Sequence, residues 1–252
     1  MFGRRKIAML VAEFLGTGLL TLVFLSVQRS TIGVPYFVAL AAGLAVAMAV
    51  FVVGDNSGAH LNPAVTLALW TARKTGTIAS ALYIVMQLLG AWAAYALYTY
   101  FVNSSLQPIG GHYTGRVLVA EAVGTFILAL GWAAVAYRRW LTGTNATVVG
   151  VSYALGIIVA AAAGIGLANP AVALGTRAWE IWGSMGWGTY VLGPVLGAII
   201  AVNLYGLLFA PVEEVVAAVP AETTAAATTS RRTTTRKTPA KRKTTTTRRK
   251  RS

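Results

Sequence analysis

The chain contains no cysteine, so disulfide frameworks and thiolate metal sites are excluded. Acids are scarce, with seven Asp and Glu among 252 residues, and there are two histidines, which leaves little material for any metal site. No nucleophile–base pairing, metal-ligand cluster or phosphate-binding loop is recognisable, so the sequence points away from an enzyme and implies no cofactor. Charge of either sign is sparse at 11%, against 56% hydrophobic residues. A soluble domain is not built this way, and the composition indicates a multi-span membrane protein.

What is present is a series of long apolar runs. Six stretches, about 7–28, 34–53, 78–102, 116–137, 147–167 and 189–210, reach the roughly 20 residues that one span requires. The first follows a basic start, "MFGRRK", and exceeds a signal-peptide core in length, so it reads as a spanning helix that also acts as a signal anchor. Two shorter apolar stretches, 62–72 and 169–179, cannot span, and each begins with Asn-Pro-Ala. Asn is a favoured helix N-cap and Pro fits the first helical position, so short helices are expected to start at Asn62 and Asn169.

The chain repeats itself. "AEFLGT" at 12–17 returns as "AEAVGT" at 120–125, and Gly43/Gly150, Tyr83/Tyr190, Gly90/Gly197 and Asn62/Asn169 share an offset of 107. Repeat 1 covers about 7–102 and repeat 2 about 116–210. Each carries three spans and one short helix. An odd number of spans inverts the second copy, and inverted repeats set a solute path at their interface near the midplane. Arg4, Arg5, Lys6, Arg73, Lys74, Arg138 and Arg139 fall on one side, against Arg29, Arg116 and Arg177 on the other. The richer side is the cytoplasmic one, which places both termini inside.

A backbone break at membrane depth is tolerated only inside protein or along a wet cavity. Inversion brings the two short helices in from opposite faces, N-terminus to N-terminus, each end carrying roughly half a positive charge. Such a centre repels cations. Each Asn side-chain oxygen is expected to cap its helix, leaving a free amide to donate to one central water and interrupt a proton relay.

These residues resemble the aquaporin and aquaglyceroporin family, the major intrinsic proteins. "AEFLGTG", "SGAHLNPAVT", "QLLGAW", "AEAVGTF", the second "NPA" and "LGPVLGA" follow the family order over about residues 7–210. The resemblance implies an all-α membrane protein with six transmembrane helices and two re-entrant half-helices in an inverted 3+3 repeat. It implies a passive channel for water or small neutral solutes, assembled as a homotetramer. Asn62, Pro63, Ala64, Asn169, Pro170 and Ala171 would form the pore centre. Glu13, Glu121 and His60 would brace the re-entrant loops, and Gln87 resembles a packing residue.

The resemblance also assigns a selectivity filter, and here the chain departs from the family. Counting from the two asparagines puts the four filter positions at Ala42, Ile157, Gly166 and Val172, with valine where the family usually has arginine. Arg177 is the one candidate substitute, but five residues on it is rotated about 140° from Val172 along a helix, so it is expected at the outer interface rather than in the filter. An apolar, roomy ring suggests passage of glycerol, urea, ammonia or hydrogen peroxide besides water. Dewetting of that ring is the opposite outcome. Alternatives are a non-conducting scaffold or adhesion member of the same fold, or a secondary transporter with broken helices.

Residues 211–252 form a Thr-, Lys- and Arg-rich tail with a net charge of +8, more than half of the whole chain's +14. Its composition predicts a disordered cytoplasmic segment. Anionic lipid is its expected partner, and no specific nucleic acid is expected.

Overall fold

The computed structural model describes residues 3–30, 34–110, 113–138, 140–181 and 186–211. The tail at 212–252 lies outside the described residues, and with it the expectation of disorder and lipid binding. The described part is helical. The helices are α1 (Arg4–Gln28), α2 (Pro35–Ser57), α3 (Pro63–Thr71), α4 (Thr77–Val102), α5 (Gly115–Arg138), α6 (Thr142–Ala160), α7 (Pro170–Gly175) and α8 (Gly193–Leu208). A π-helical turn, Gly188–Leu192, leads into α8. Six of these segments are long and apolar enough to cross a membrane.

The sequence explains the helix ends. Gly58 closes α2 in a left-handed conformation at φ 84°, which glycine adopts without penalty. Pro194, in the first turn of α8, has no N–H to give, and its ring crowds the carbonyl four residues back. The π turn in front of it absorbs that mismatch.

The fifth span differs from expectation. It was expected over 147–167, but it starts at Thr142 and stops at Ala160. Beyond Ala160 the chain leaves the helix and runs into a loop that is held at its far end. Leu167 and Ala168 donate to the Glu121 carboxylate at 2.9 and 2.6 Å, and Gly166 and Ala168 take positive φ. The second half-helix is also shorter than 169–179. It ends at Gly175, where Arg177 turns the chain at φ 59° into a 3₁₀ turn, Ala178–Ile181. Its dipole is correspondingly smaller than a ten-residue helix would carry.

Packing follows the repeat. α1 lies against α2 and α4, as α5 lies against α6 and α8. The two halves join where α2 meets α6 and where each half-helix reaches the last span of the other repeat, α3 on α8 and α7 on α4. Glycines permit these approaches. A Cβ at Gly43 would stand 2.6 Å from the Gly150 carbonyl oxygen, and one at Gly90 would strike the Phe14 carbonyl. Polar side chains are sunk into the apolar interior while large apolar ones face out: Glu13, Gln87, Glu121, Asn62 and Asn169 are fully buried, whereas Leu44, Phe51, Ile78 and Trp92 are exposed. Lipid-facing surfaces need this inverted pattern, because a polar group facing hydrocarbon finds no partner.

Candidate functional site

The two half-helices begin alike. Asn62 accepts a hydrogen bond from the Ala64 N–H at 2.9 Å, and Asn169 accepts from Ala171 at 2.9 Å and from Val172 at 3.4 Å. Pro63 and Pro170 fill the first helical positions, followed by Ala64 and Ala171, all buried. The loops before them are wound into left-handed backbone at Ala59 and Leu61, and at Gly166 and Ala168. For alanine or leucine such a conformation costs on the order of 1 kcal/mol or more. Buried carboxylates hold it in place. Glu13 accepts from the N–H groups of His60 (2.9 Å) and Leu61 (2.8 Å), and Glu121 from those of Leu167 and Ala168.

The asparagine amides are not both free, which corrects the sequence-based expectation of a double donor at each one. Asn62 Nδ2 donates to the Ala168 carbonyl at 2.9 Å, and Asn169 Nδ2 donates to the Leu61 carbonyl at 2.9 Å. The left-handed turns aim these carbonyls across the centre, where one hydrogen of each amide satisfies them. Asn62 retains its second amide hydrogen. The Asn169 amide nitrogen also lies 3.4 Å from the Tyr153 hydroxyl.

The first repeat carries an extra polar layer. Gln87 Nε2 donates to Glu13 Oε2 at 2.7 Å and to Thr66 Oγ1 at 2.9 Å, so Gln87 does more than pack. The Thr66 hydroxyl in turn lies 3.2 Å from His60 Nδ1 and donates to the Asn62 carbonyl at 3.1 Å. At offset 107 the second repeat has Leu167, Ala173 and Pro194 in place of His60, Thr66 and Gln87. None of the three can join a side-chain network.

Ala42, Ile157 and Val172 are fully buried and share one apolar cluster. Gly166 faces Ile157: a Cβ there would stand 2.6 Å from the Ile157 carbonyl oxygen. The four positions contribute no side-chain donor or acceptor. Arg177 stands apart from them. It pairs with Glu180, bonds the Tyr95 hydroxyl at 3.2 Å and bonds the Leu106 carbonyl at 2.8 Å. Hydrogen bonding to Glu180 holds its guanidinium above the ordinary arginine range. The 105–109 segment is fastened further by Arg29 on the Gln107 carbonyl and by the Ile109 N–H on the Thr176 carbonyl.

Sequence reasoning missed Tyr153, Trp132 and Thr66. Tyr153 lies four residues before Ile157 on the buried stripe of α6, so i, i+4 spacing could have flagged it. Trp132 meets Tyr153 edge to face with ring centroids 6.2 Å apart, and its Nε1 donates to the Ala59 carbonyl at 3.2 Å. Nothing local in the sequence pairs these two rings.

Six spans around two asparagine-capped half-helices that meet start to start define a polytopic membrane fold with a polar axis. The chain matches the Major intrinsic protein family over residues 4–205. It is 32% identical to Aquaporin AqpM of Methanothermobacter thermautotrophicus over 192 residues, covering 68% of this chain and 76% of that protein. It is 35% identical to Aquaporin-1 of Homo sapiens over 225 residues, covering 80% of this chain and 81% of the other. The X-ray structure of the aquaglyceroporin from Plasmodium falciparum superposes with a TM-score of 0.66 at 24% identity, over 81% of this chain and 96% of that one. The chain belongs to the major intrinsic protein family. It is a multi-pass membrane channel for water or small solutes, and not an enzyme.

Proposed function

We propose that the chain conducts water and other small neutral solutes, among them glycerol, urea, ammonia or hydrogen peroxide, and turns back cations and protons at its centre. The observation that carries this reading is the meeting of the two asparagine-capped helix starts, cross-bonded between the repeats. Two positive helix ends oppose a cation there. The remaining amide hydrogen of Asn62 can hold a passing water by its oxygen, and a water held so cannot accept a proton from its neighbour. Ala42, Ile157, Gly166 and Val172 form the outer ring in this reading. They add neither charge nor hydrogen-bonding side chains, which supports a wide and permissive filter. The excess of arginine and lysine at Arg4, Arg5, Lys6, Arg73, Lys74 and Arg138 supports cytoplasmic termini. Assembly as a homotetramer and contact of the basic tail with anionic lipid belong to the same reading.

Stopped-flow shrinkage of proteoliposomes in sucrose, glycerol and urea gradients tests it. Faster water and solute equilibration than in empty liposomes is expected, and equality with empty liposomes for every solute overturns the channel. A second reading, a non-conducting scaffold of this fold, is favoured by one observation: Ala42, Asn62, Tyr153, Ile157, Asn169 and Val172 all have 0% exposure.

A further inference from the structure

The outer ring lacks bulk, yet the centre does not. Tyr153 lies on the same face of α6 as Ile157, one turn or about 6 Å along the axis. Its hydroxyl reaches the Asn169 amide nitrogen at 3.4 Å, so the phenol ends at the level of the asparagine caps. At that length the hydrogen bond is weak, and what the side chain mainly contributes is volume. The ring has little freedom to move aside. It is fully buried and packed edge to face on Trp132, which is itself tied to the Ala59 carbonyl. The Asn169 amide meanwhile has both of its contacts, Leu61 and Tyr153, within the protein. A solute at this level therefore meets one asparagine amide, that of Asn62, with a rigid phenol standing against the other.

We infer that Tyr153 is the specificity-determining residue of this channel, placing its size-selecting constriction at the level of Asn62 and Asn169 and not at the ring of Ala42, Ile157, Gly166 and Val172. The inference rests on the proposed channel function and narrows it. Water and the smallest neutral solutes pass beside the phenol, and the ring sets the upper limit for glycerol-sized molecules. Its hydroxyl supplies a polar contact where Asn169 does not.

The test uses the full chain in proteoliposomes, with water, urea and glycerol permeabilities measured for wild type, Tyr153→Val, Tyr153→Leu and Tyr153→Phe. Shortening the side chain to Val is expected to raise the glycerol-to-water permeability ratio about tenfold or more, because pore diameter governs which solutes pass. Tyr153→Leu, which refills part of the packing against Trp132, gives a smaller rise in the same direction and supplies the readout if the valine variant does not fold. Tyr153→Phe keeps the ring and loses only the hydroxyl, so its glycerol-to-water ratio should stay nearer wild type than that of either the Val or the Leu variant. A conducting wild type with an unchanged ratio in the Val and Leu variants overturns the inference and leaves the channel standing. A silent wild type opened by Val or Leu supports it, with the phenol then closing the path. Wild type and both variants all silent overturn the inference and the channel together.

Discussion

Asn62 and Asn169 each donate a hydrogen bond to the carbonyl immediately before the other, Ala168 and Leu61, both at 2.9 Å. The two half-helices are thereby stapled head to head across the repeat interface. The same residues cap their own helices, so one side-chain type terminates a loop, starts a helix and joins two repeats.

Asn62→Asp separates these duties. A carboxylate still accepts from the Ala64 N–H, but it cannot donate to Ala168, and it brings negative charge to the centre. The variant is expected to fold with a lowered melting temperature in detergent, the buried Ala168 carbonyl keeping only the long contact from the Thr125 hydroxyl at 3.4 Å, at a cost of about 1–3 kcal/mol. It should also admit cations or protons. Proteoliposomes loaded with a pH-sensitive dye and exposed to an acid pulse check this, and wild-type tightness in a folded variant would contradict the central barrier.

The two carboxylates should differ in worth. Glu13 takes donors from His60, Leu61 and Gln87, whereas Glu121 takes them from Leu167 and Ala168. Glu13→Gln also sets an amide NH2 against the amide of Gln87. We expect it to cost about 3 kcal/mol and Glu121→Gln about 2 kcal/mol, since each amide replaces one acceptor oxygen with an NH2 and leaves a buried N–H without its partner. Thermal unfolding of the two variants side by side gives the order, and a larger loss for Glu121→Gln would contradict the assignment.

Val172→Arg puts a fixed charge and a fork of donors into an apolar ring. Permeability to the largest solute that wild type carries should fall about tenfold, with a smaller effect on water. An untouched solute profile would mean that Val172 does not border the path.

Gly90→Ala tests the span crossings. A Cβ there collides with the Phe14 backbone carbonyl, which cannot swing away as a side-chain tip could. Overpacking of this kind costs about 1–3 kcal/mol, readable as a lowered melting temperature. Gly115→Ala, at the first residue of α5 with nothing within 4 Å of the added Cβ, is the matched comparison and should change little.

Much of this architecture is legible in the chain because membrane burial writes itself into composition. A span must be apolar along its length, so α1, α2, α4, α5 and α8 stand out as runs. A break inside such surroundings stands out equally, and its duplication at one offset exposes the repeat. The end of α6 is not legible: residues 161–167 are as apolar as the helix before them, and the distant Glu121 is what holds the N–H groups of Leu167 and Ala168 in the loop. The candidate ring of Ala42, Ile157, Gly166 and Val172 came from counting along a resemblance, and counting does not reveal what stands beneath it.

The sequence by itself determined the membrane class, the inverted repeat and the places where helices start at Asn62 and Asn169, because local capping chemistry and apolar run length are properties of neighbouring residues. The tertiary structure alone decided where the asparagine amides point, that Gln87 links Glu13 to Thr66, and that Tyr153 on α6 meets Asn169 beyond the next break. Those contacts join residues 16 to 108 positions apart. Their geometry depends on left-handed backbone held by distant carboxylates and on glycine-thin helix crossings, within a repeat at Gly90 and between repeats at Gly43 and Gly150, and none of these is a property of neighbouring residues.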